Sequence, residues 1–367
     1  MAKKIRLVCT AAALVPLTVL AAACSSSSSP PKSSSTTAPA GNASGKEISE
    51  TGSTLLFPLF GSWQSAYSST NTGVTITSGA TGSGTGIADA AEGLVNIGAS
   101  DAYLSSSDMT QYPNLINIPL TVAAVIVNYN VPGVSKPLKL NGTVLAEIYT
   151  GKITNWDNSA IAALNSGVSL PNLPIVTLHR ADGSGSTFLF TSYLNATDPS
   201  AWPSSLVDTT ITWPTVSGQL AETGSGGMVT GCGATKGCIA YIGISYLTKT
   251  TAAGLGEADL ANKAGGYTQP TAASITAALT SFPAVPSEGA EALIDTSSAA
   301  GYPIINYEYA VVDKKQASAA EATAVKAFLN WIITTGDTST YLASVGFQPL
   351  PSGTASVSTS LINSITG

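Results

Sequence analysis

The chain has 367 residues, of which 44% are hydrophobic and only 10% charged, and its 15 Lys plus Arg face 21 Asp plus Glu for a net charge of −6. An acidic protein repels the phosphate backbone that supplies most nucleic-acid affinity, so DNA and RNA are excluded as partners. The stretch after residue 46 is long enough for two domains with complete cores, and no self-similarity occurs at solenoid periods.

Lys3, Lys4 and Arg6 precede an apolar run from Leu7 to Ala23. A basic head before a short hydrophobic segment is the layout of a secretory signal, assigned to residues 1–23. It ends in Leu20-Ala21-Ala22-Ala23-Cys24, small residues before a cysteine, where cleavage leaves Cys24 to be diacylated as a lipid anchor. The alternative is ordinary cleavage with Cys24 left as a free thiol. A diacylated cysteine holds a protein on a bilayer without a spanning helix, which places the chain on the extracytoplasmic face of the cell membrane. Removing residues 1–23 leaves 12 basic and 21 acidic side chains, a net charge of −9. Residues 24–46 are mostly Ser, Pro, Thr, Ala and Gly. Such a segment buries too little apolar surface to offset its ordering entropy and reads as a flexible tether.

Beyond the tether, strand-length apolar runs are expected to form strands at Val74–Thr77, Val122–Asn128, Ile175–Leu178, Ile239–Ile242 and Ile304–Val312. Helices are expected at Phe60–Tyr67, Gly86–Glu92, Asn141–Tyr149, Ser159–Leu164, Thr187–Leu194, Ala272–Leu279 and Ala317–Thr334. Alternation of the two predicts an α/β fold.

Three Gly/Ser/Thr turns stand where a strand passes into a helix: Thr51-Gly52-Ser53-Thr54-Leu55-Leu56, Gly79-Ala80-Thr81-Gly82-Ser83-Gly84-Thr85-Gly86 and Asp182-Gly183-Ser184-Gly185-Ser186-Thr187. Each can offer consecutive backbone N–H groups at the positive end of a helix, with hydroxyls beside them. The only arginine beyond Arg6 is Arg180, preceded by the only histidine, His179, and it heads the third turn. A bidentate cation next to unpaired N–H groups is a receptor for a tetrahedral oxyanion. His179 reads as a structural residue at a strand end.

Asp101 follows the apolar segment Val95-Asn96-Ile97-Gly98-Ala99-Ser100. An ionised carboxylate accepts hydrogen bonds and cannot donate. At an anion site it repels a bare dianion and welcomes an oxyanion that keeps a proton, which separates phosphate from sulfate or molybdate. Its other reading is a turn or cap residue. Asp182 either locks the fork of Arg180 or caps the following helix.

Of four cysteines, Cys9 leaves with the signal, and Cys232 and Cys238 remain in a glycine-rich stretch read as a loop. Outside the membrane this pair is expected to form a disulfide. With one distant histidine, the residues are too few for a four-ligand zinc site, so no metal and no cofactor are expected. Catalysis has no support. The chain lacks a G-x-S-x-G elbow, a P-loop and an H-E-x-x-H helix, and His179 is the only imidazole. A surface-interaction lipoprotein, using scattered exposed Tyr and Trp, is the remaining alternative.

From about Glu50 to the C-terminus the chain resembles the phosphate-binding proteins that feed high-affinity phosphate ABC importers, in particular the lipoprotein type of actinobacteria. The likeness rests on Gly52-Ser53-Thr54, Gly82-Ser83-Gly84, Ile97-Gly98-Ala99-Ser100-Asp101 and Arg180-Ala181-Asp182-Gly183-Ser184-Gly185, with Tyr149-Thr150-Gly151-Lys152-Ile153-Thr154-Asn155-Trp156 as a structural signature. The resemblance implies a two-domain periplasmic-binding-protein (class II, Venus-flytrap) fold that closes on a dehydrated phosphate, with two crossover strands as hinge. It implies domain I at 47–128 plus 303–367 and domain II at 129–302. The ligand is then inorganic phosphate, and the partner is the membrane permease of the importer. Carried over residue by residue, Thr54 and the N–H groups around Ser53 and Leu55 bind from the first turn. Ser83 donates from the second turn, and Asp101 accepts the phosphate hydroxyl. Arg180 supplies the charge with Asp182 orienting it, and Ser184, Gly185 and Ser186 complete the third turn. The chain departs from the family pattern at Leu55, where an aromatic residue is common, and at Ser186, where Thr is common. Backbone donation survives both changes.

The anchor assignment has a direct test. Cys24→Ala is expected to move the protein from the membrane fraction to the soluble extracellular fraction, and retention in the membrane fraction would refute lipid anchoring.

Overall fold

A computed structural model describes residues 46–367; the signal at 1–23, Cys24 and all of the tether but its last residue lie outside the described residues. The main sheet uses β1 (Lys46–Gly52), β2 (Val74–Thr77), β3 (Ile97–Ser100), β4 (Leu115–Tyr129), β5 (Val176–Arg180), β6 (Leu220–Glu222), β7 (Cys238–Gly243), β8 (Gly256–Glu257) and β9 (Ile305–Asp313). Its order is β2-β1-β3-β9-β4-β7-β5-β6, with β8 pairing on β4. β1 is parallel to β2 and β3, and β5 is parallel to β6 and β7, whereas β4 and β9 run antiparallel to their neighbours. A small second sheet joins Lys139–Leu140, Asp259–Ala261 and Tyr267–Thr268.

β4 reads LINIPLTVAAVIVNY and is buried almost throughout, which suits a strand covered on both faces. It spans both halves of the sheet. Leu115 to Ala124 pair with β9, and Val125 to Tyr129 pair with β7. Pro119 interrupts it. Proline has no N–H to give, and the β9 register shifts between Glu308 and Tyr309, where Tyr309 faces Pro119. Leu120 of β4 is the extra residue, without a partner on β9.

Helices follow four of the parallel strands. α1 (Phe57–Thr70) has Pro58 in its first turn, where the missing N–H costs nothing, and buries Leu59, Phe60, Trp63 and Tyr67. α2 (Ser83–Ala91) lies close against the sheet. A Cβ at Gly86 would sit 2.7 Å from the Ala99 carbonyl oxygen, and one at Gly98 would sit 2.1 Å from that of Gly86, so only glycine permits this approach. α3 (Gly185–Thr197) is capped by Ser184, and α4 (Gly224–Ala234) follows Thr223. Toward the C-terminus, α5 (Ala319–Trp331) is capped by Ser318 and continues as a π-helical turn, Ile332–Gly336. The single helix expected over Ala317–Thr334 therefore starts two residues later and ends in wider winding. Phe328 of α5 meets Phe60 edge-on, 5.6 Å between ring centres.

The expected strand at 74–77 and the expected helices at 159–164 and 272–279 have the observed bounds. Tyr149 and Trp156 are fully buried, with the Tyr149 hydroxyl donating to Leu178 C=O at 3.0 Å. Cys232 and Cys238 form a disulfide across a Cα separation of 5.3 Å. The surroundings differ from the expected loop: Cys232 belongs to the last turn of α4 and Cys238 opens β7. The bridge so short in sequence adds about 2 kcal/mol by loop entropy, and it pins a helix end to a strand start. The expected scatter of exposed Tyr and Trp is absent among the described residues, since every one is buried or half-buried. Several are also tied by hydrogen bonds, as Trp63 Nε1 donating to Gly336 C=O at 2.9 Å shows. No described helix is long and apolar enough to cross a membrane.

Glu50, on β1, is 4% exposed and neither carboxyl oxygen has a partner. Burial pushes its pKa up to about 8, partly offset by the Gly79 backbone. A carboxyl raised on folding leaves stability untouched below its unfolded pKa and lowers it as pH climbs toward the folded value. Glu50→Gln removes that titration. The variant is expected to match the parent near pH 4.5 and to exceed it near pH 8 by an amount on the order of a few kcal/mol, read from denaturant unfolding. Parallel pH profiles would refute the assignment.

Candidate functional site

The parallel strands β1, β2, β5 and β6 each end in a Gly/Ser/Thr turn that leads into a helix, and β3 ends at Asp101. Ligand sites of open α/β sheets lie at such carboxyl ends. The ends meet along the junction between the two halves of the sheet, and Ser53, Thr54, Ser83, Asp101, Arg180, Ser184 and Ser186 are all buried there.

Asp101 is the centre. Ser53 Oγ donates to its Oδ1 in a short contact, Ser83 Oγ stands 3.3 Å from the same oxygen, and Ser186 Oγ donates to Oδ2 at 2.7 Å. The Asp101 N–H donates to Ser83 Oγ at 3.2 Å, and Asn306 Nδ2 of β9 donates to Asp101 C=O at 2.6 Å. Ser186 comes from the half of the sheet opposite to Ser53 and Ser83, so the carboxylate joins both. Gly185 makes this approach possible, because a Cβ there would lie 2.6 Å from Asp101 Cβ. The carboxylate is an acceptor of hydroxyl hydrogens, and the turn-or-cap reading of Asp101 does not describe it.

Arg180 ends β5 with its side chain 2% exposed. Its Nε donates to Asp182 Oδ1 at 2.7 Å, and one Nη pairs closely with Oδ2. The other Nη makes no hydrogen bond among the described residues, so the fork is held on one side and open on the other. Burial raises the Asp182 pKa, but the hydrogen bonds and charge of Arg180 outweigh it, with help from the Gly224 N–H at 3.1 Å, and the carboxyl is held below its ordinary range. Asp182 therefore orients the guanidinium; the α3 cap is Ser184, whose Oγ accepts from Thr187 N–H at 3.3 Å. The Arg180 N–H donates to Tyr241 Oη at 2.9 Å, which fixes the strand end. Gly82, at φ 97°, brings the second turn to this pair, since a Cβ there would lie 2.6 Å from Asp182 Oδ2.

The first turn offers the N–H groups of Thr54 and Leu55, which have no acceptor among the described residues, whereas the Ser53 N–H is taken by Ala99 C=O at 2.8 Å. Ser53 thus contributes through its hydroxyl. Leu55 is buried and bridges the halves: its C=O accepts from Ser245 Oγ at 2.7 Å. In the third turn, the N–H groups of Gly185 and Ser186 lie in the first turn of α3, where no intrahelical acceptor exists. His179 stacks on Trp213 with ring centres 4.8 Å apart, and burial lowers its pKa, so it stays a neutral packing residue.

The sequence reading missed a fourth turn. Thr223-Gly224-Ser225 leads into α4, and Ser225 Oγ lies 2.9 Å from Thr54 Oγ1 while its N–H donates to that hydroxyl at 3.1 Å. The signal that marked the other three turns is present there too. Asn306 and Glu308 were also missed. Two polar residues in an otherwise apolar strand, β9, were the available sign.

Strand-end turns that meet between two half-sheets and a sheet crossed by β4 define a two-domain α/β substrate-binding protein of the periplasmic type, and the PBP superfamily domain matches residues 35–335. The chain is 32% identical over 339 residues to the phosphate-binding protein PstS of Methanocaldococcus jannaschii, covering 87% of this chain and 86% of that one. It is 30% identical over 319 residues to PstS 3 of Mycobacterium leprae, covering 83% of each. In three dimensions it is similar to a high-affinity periplasmic phosphate-binding protein bound with phosphate (TM-score 0.68, 22% identity, 88% of this chain and 99% of that one). It is likewise similar to the phosphate-binding protein of Stenotrophomonas maltophilia (TM-score 0.66, 21% identity, 86% and 93%). The chain belongs to the phosphate-binding protein PstS family. That family comprises transporter substrate-binding proteins, not enzymes.

Proposed function

We propose that this protein captures inorganic phosphate outside the membrane and delivers it to the permease of an ABC importer. The observation that carries the reading is Asp101, a buried carboxylate accepting from hydroxyls of both halves, with Arg180 held by Asp182 at the end of β5. The hydroxyl hydrogens of Ser83 and Ser186 can swing about their C–O bonds. They turn onto the anion together with the N–H groups of Thr54, Leu55, Gly185 and Ser186, while the Ser53 hydroxyl stays on Asp101. Asp101 then accepts the proton that hydrogen phosphate keeps and sulfate lacks. Closure excludes water, which strengthens each hydrogen bond and lets an acidic protein hold an anion.

The hinge assigned here is the pair of passages through β4 and into β9, with domain I at 47–128 plus 303–367 and domain II at 129–302. It is supported by the pairing of β4 with β9 at one end and with β7 at the other. Phosphate contacts both domains and favours the closed state. The finer assignment, an actinobacterial lipoprotein held by Cys24, rests on the small-residue run before that cysteine and on the mycobacterial relatives. The tether then keeps the domain near the permease and raises its effective concentration.

Two substitutions test the site by calorimetry. Arg180→Ala is expected to weaken phosphate binding by roughly 100-fold or more, because charge-assisted bonds in a dry site are lost. Asp101→Asn is expected to admit sulfate, since an amide can donate where the carboxylate could not. Unchanged phosphate affinity in the first, or undiminished rejection of sulfate in the second, would overturn the assigned roles.

A further inference from the structure

Behind Asp101 stands a second carboxyl that the site described above does not use. Glu308 is fully buried on β9, on the face it shares with Asn306, opposite Thr121 and next to the register shift. Its Oε2 lies 3.3 Å from Ser53 Oγ, and its Oε1 has no partner. No lysine, arginine or histidine pairs with it.

The hydrogens of this cluster can be counted. Ser53 has one hydroxyl hydrogen, and the close contact to Asp101 Oδ1 takes it. The Ser53 oxygen accepts from the Leu56 N–H at 2.9 Å and has one acceptor position left. Glu308 Oε2 fills that position. With the Ser53 hydrogen on Asp101, the one hydrogen available to join the two oxygens across 3.3 Å is that of Glu308 itself. An ionised Glu308 would place a second uncompensated negative charge one hydroxyl away from Asp101 in a dry interior. Burial and the charge of Asp101 both push the Glu308 pKa well above the usual carboxylate range, with the Ser53 contact opposing them.

We infer that Glu308 is a neutral carboxylic acid that donates its hydrogen to Ser53, so that the Ser53 hydroxyl points at Asp101 and keeps that carboxylate facing the site as an acceptor. Glu308 is thus a positioning residue for oxyanion selection, acting through Ser53. Asn306 aligns the same carboxylate through its backbone carbonyl. The inference rests on the phosphate reading of the Asp101 site and concerns how that site keeps its preference.

The test is calorimetric titration of the full chain with sodium phosphate and with sodium sulfate at pH 7, comparing the parent with Glu308→Gln and Glu308→Leu. An amide donates to Ser53 as the neutral acid does. Glu308→Gln is therefore expected to keep phosphate affinity near the parental value and to reject sulfate as the parent does. Glu308→Leu removes the donor, and is expected to lose about tenfold or more in phosphate affinity and to discriminate less sharply. Sulfate binding by Glu308→Gln would overturn the inference, because it would mean that Glu308 acts as a negative charge. Parental affinity and selectivity in Glu308→Leu would overturn it as well. If Glu308→Leu does not fold, the Gln variant decides alone through its sulfate titration. A parent that binds no phosphate would instead overturn the phosphate reading, and this inference with it.

Discussion

A buried carboxylate with hydroxyls on several sides is costly unless every lone pair is engaged. Both carboxyl oxygens of Asp101 are engaged only when the two halves of the molecule are together, because Ser53 and Ser83 come from one half and Ser186 from the other, and Oδ2 keeps a lone pair for a guest. The same group is the reason the site can tell one oxyanion from another. Being acceptor-only, it turns the presence or absence of a proton on the guest into a difference between a hydrogen bond and a like-charge contact.

The rest of the architecture serves that arrangement. An acidic chain cannot hold an anion by its overall field, so attraction has to be local. One guanidinium supplies it, locked by Asp182 on one edge and backed by Tyr241 at the strand end. Around it, strand ends deliver backbone N–H groups at helix starts, where they have no intrahelical partner. Glycine is required where the turns touch each other. Gly82 leaves space for Asp182, and Gly185 leaves space for Asp101. Pro119 has a quieter part. It flanks Leu120, the residue skipped in the β4–β9 ladder, two places from the Thr121 that pairs with Glu308.

Much of this was legible in the residues. Val74–Thr77 is a β-branched run between turn signals, and it is a strand with those bounds. Arg180, Asp182, Ser184, Gly185 and Ser186 are contiguous, so their proximity needed only one strand end and one helix start. The glycine-serine composition marked three turns correctly, and it marked the fourth equally well at Gly224-Ser225. Cys232 was placed in a loop because glycines flank it, yet burial of Met228 and Val229 carries the helix through them, tertiary packing overriding propensity.

The sequence by itself determined which groups are available: a sole guanidinium beyond the signal, acceptor-only carboxylates, and helix starts rich in glycine and hydroxyls. These follow from residue type and local spacing, which act over a few bonds. The tertiary structure alone decided which of them meet. Asp101 and Ser186 stand 85 residues apart in the chain, and Ser53 and Glu308 stand 255 apart. Such pairs are set by sheet order, by the slip at Pro119 and by the closeness that glycine permits. No local pattern encodes a distance between strands that first become neighbours when the whole sheet has formed.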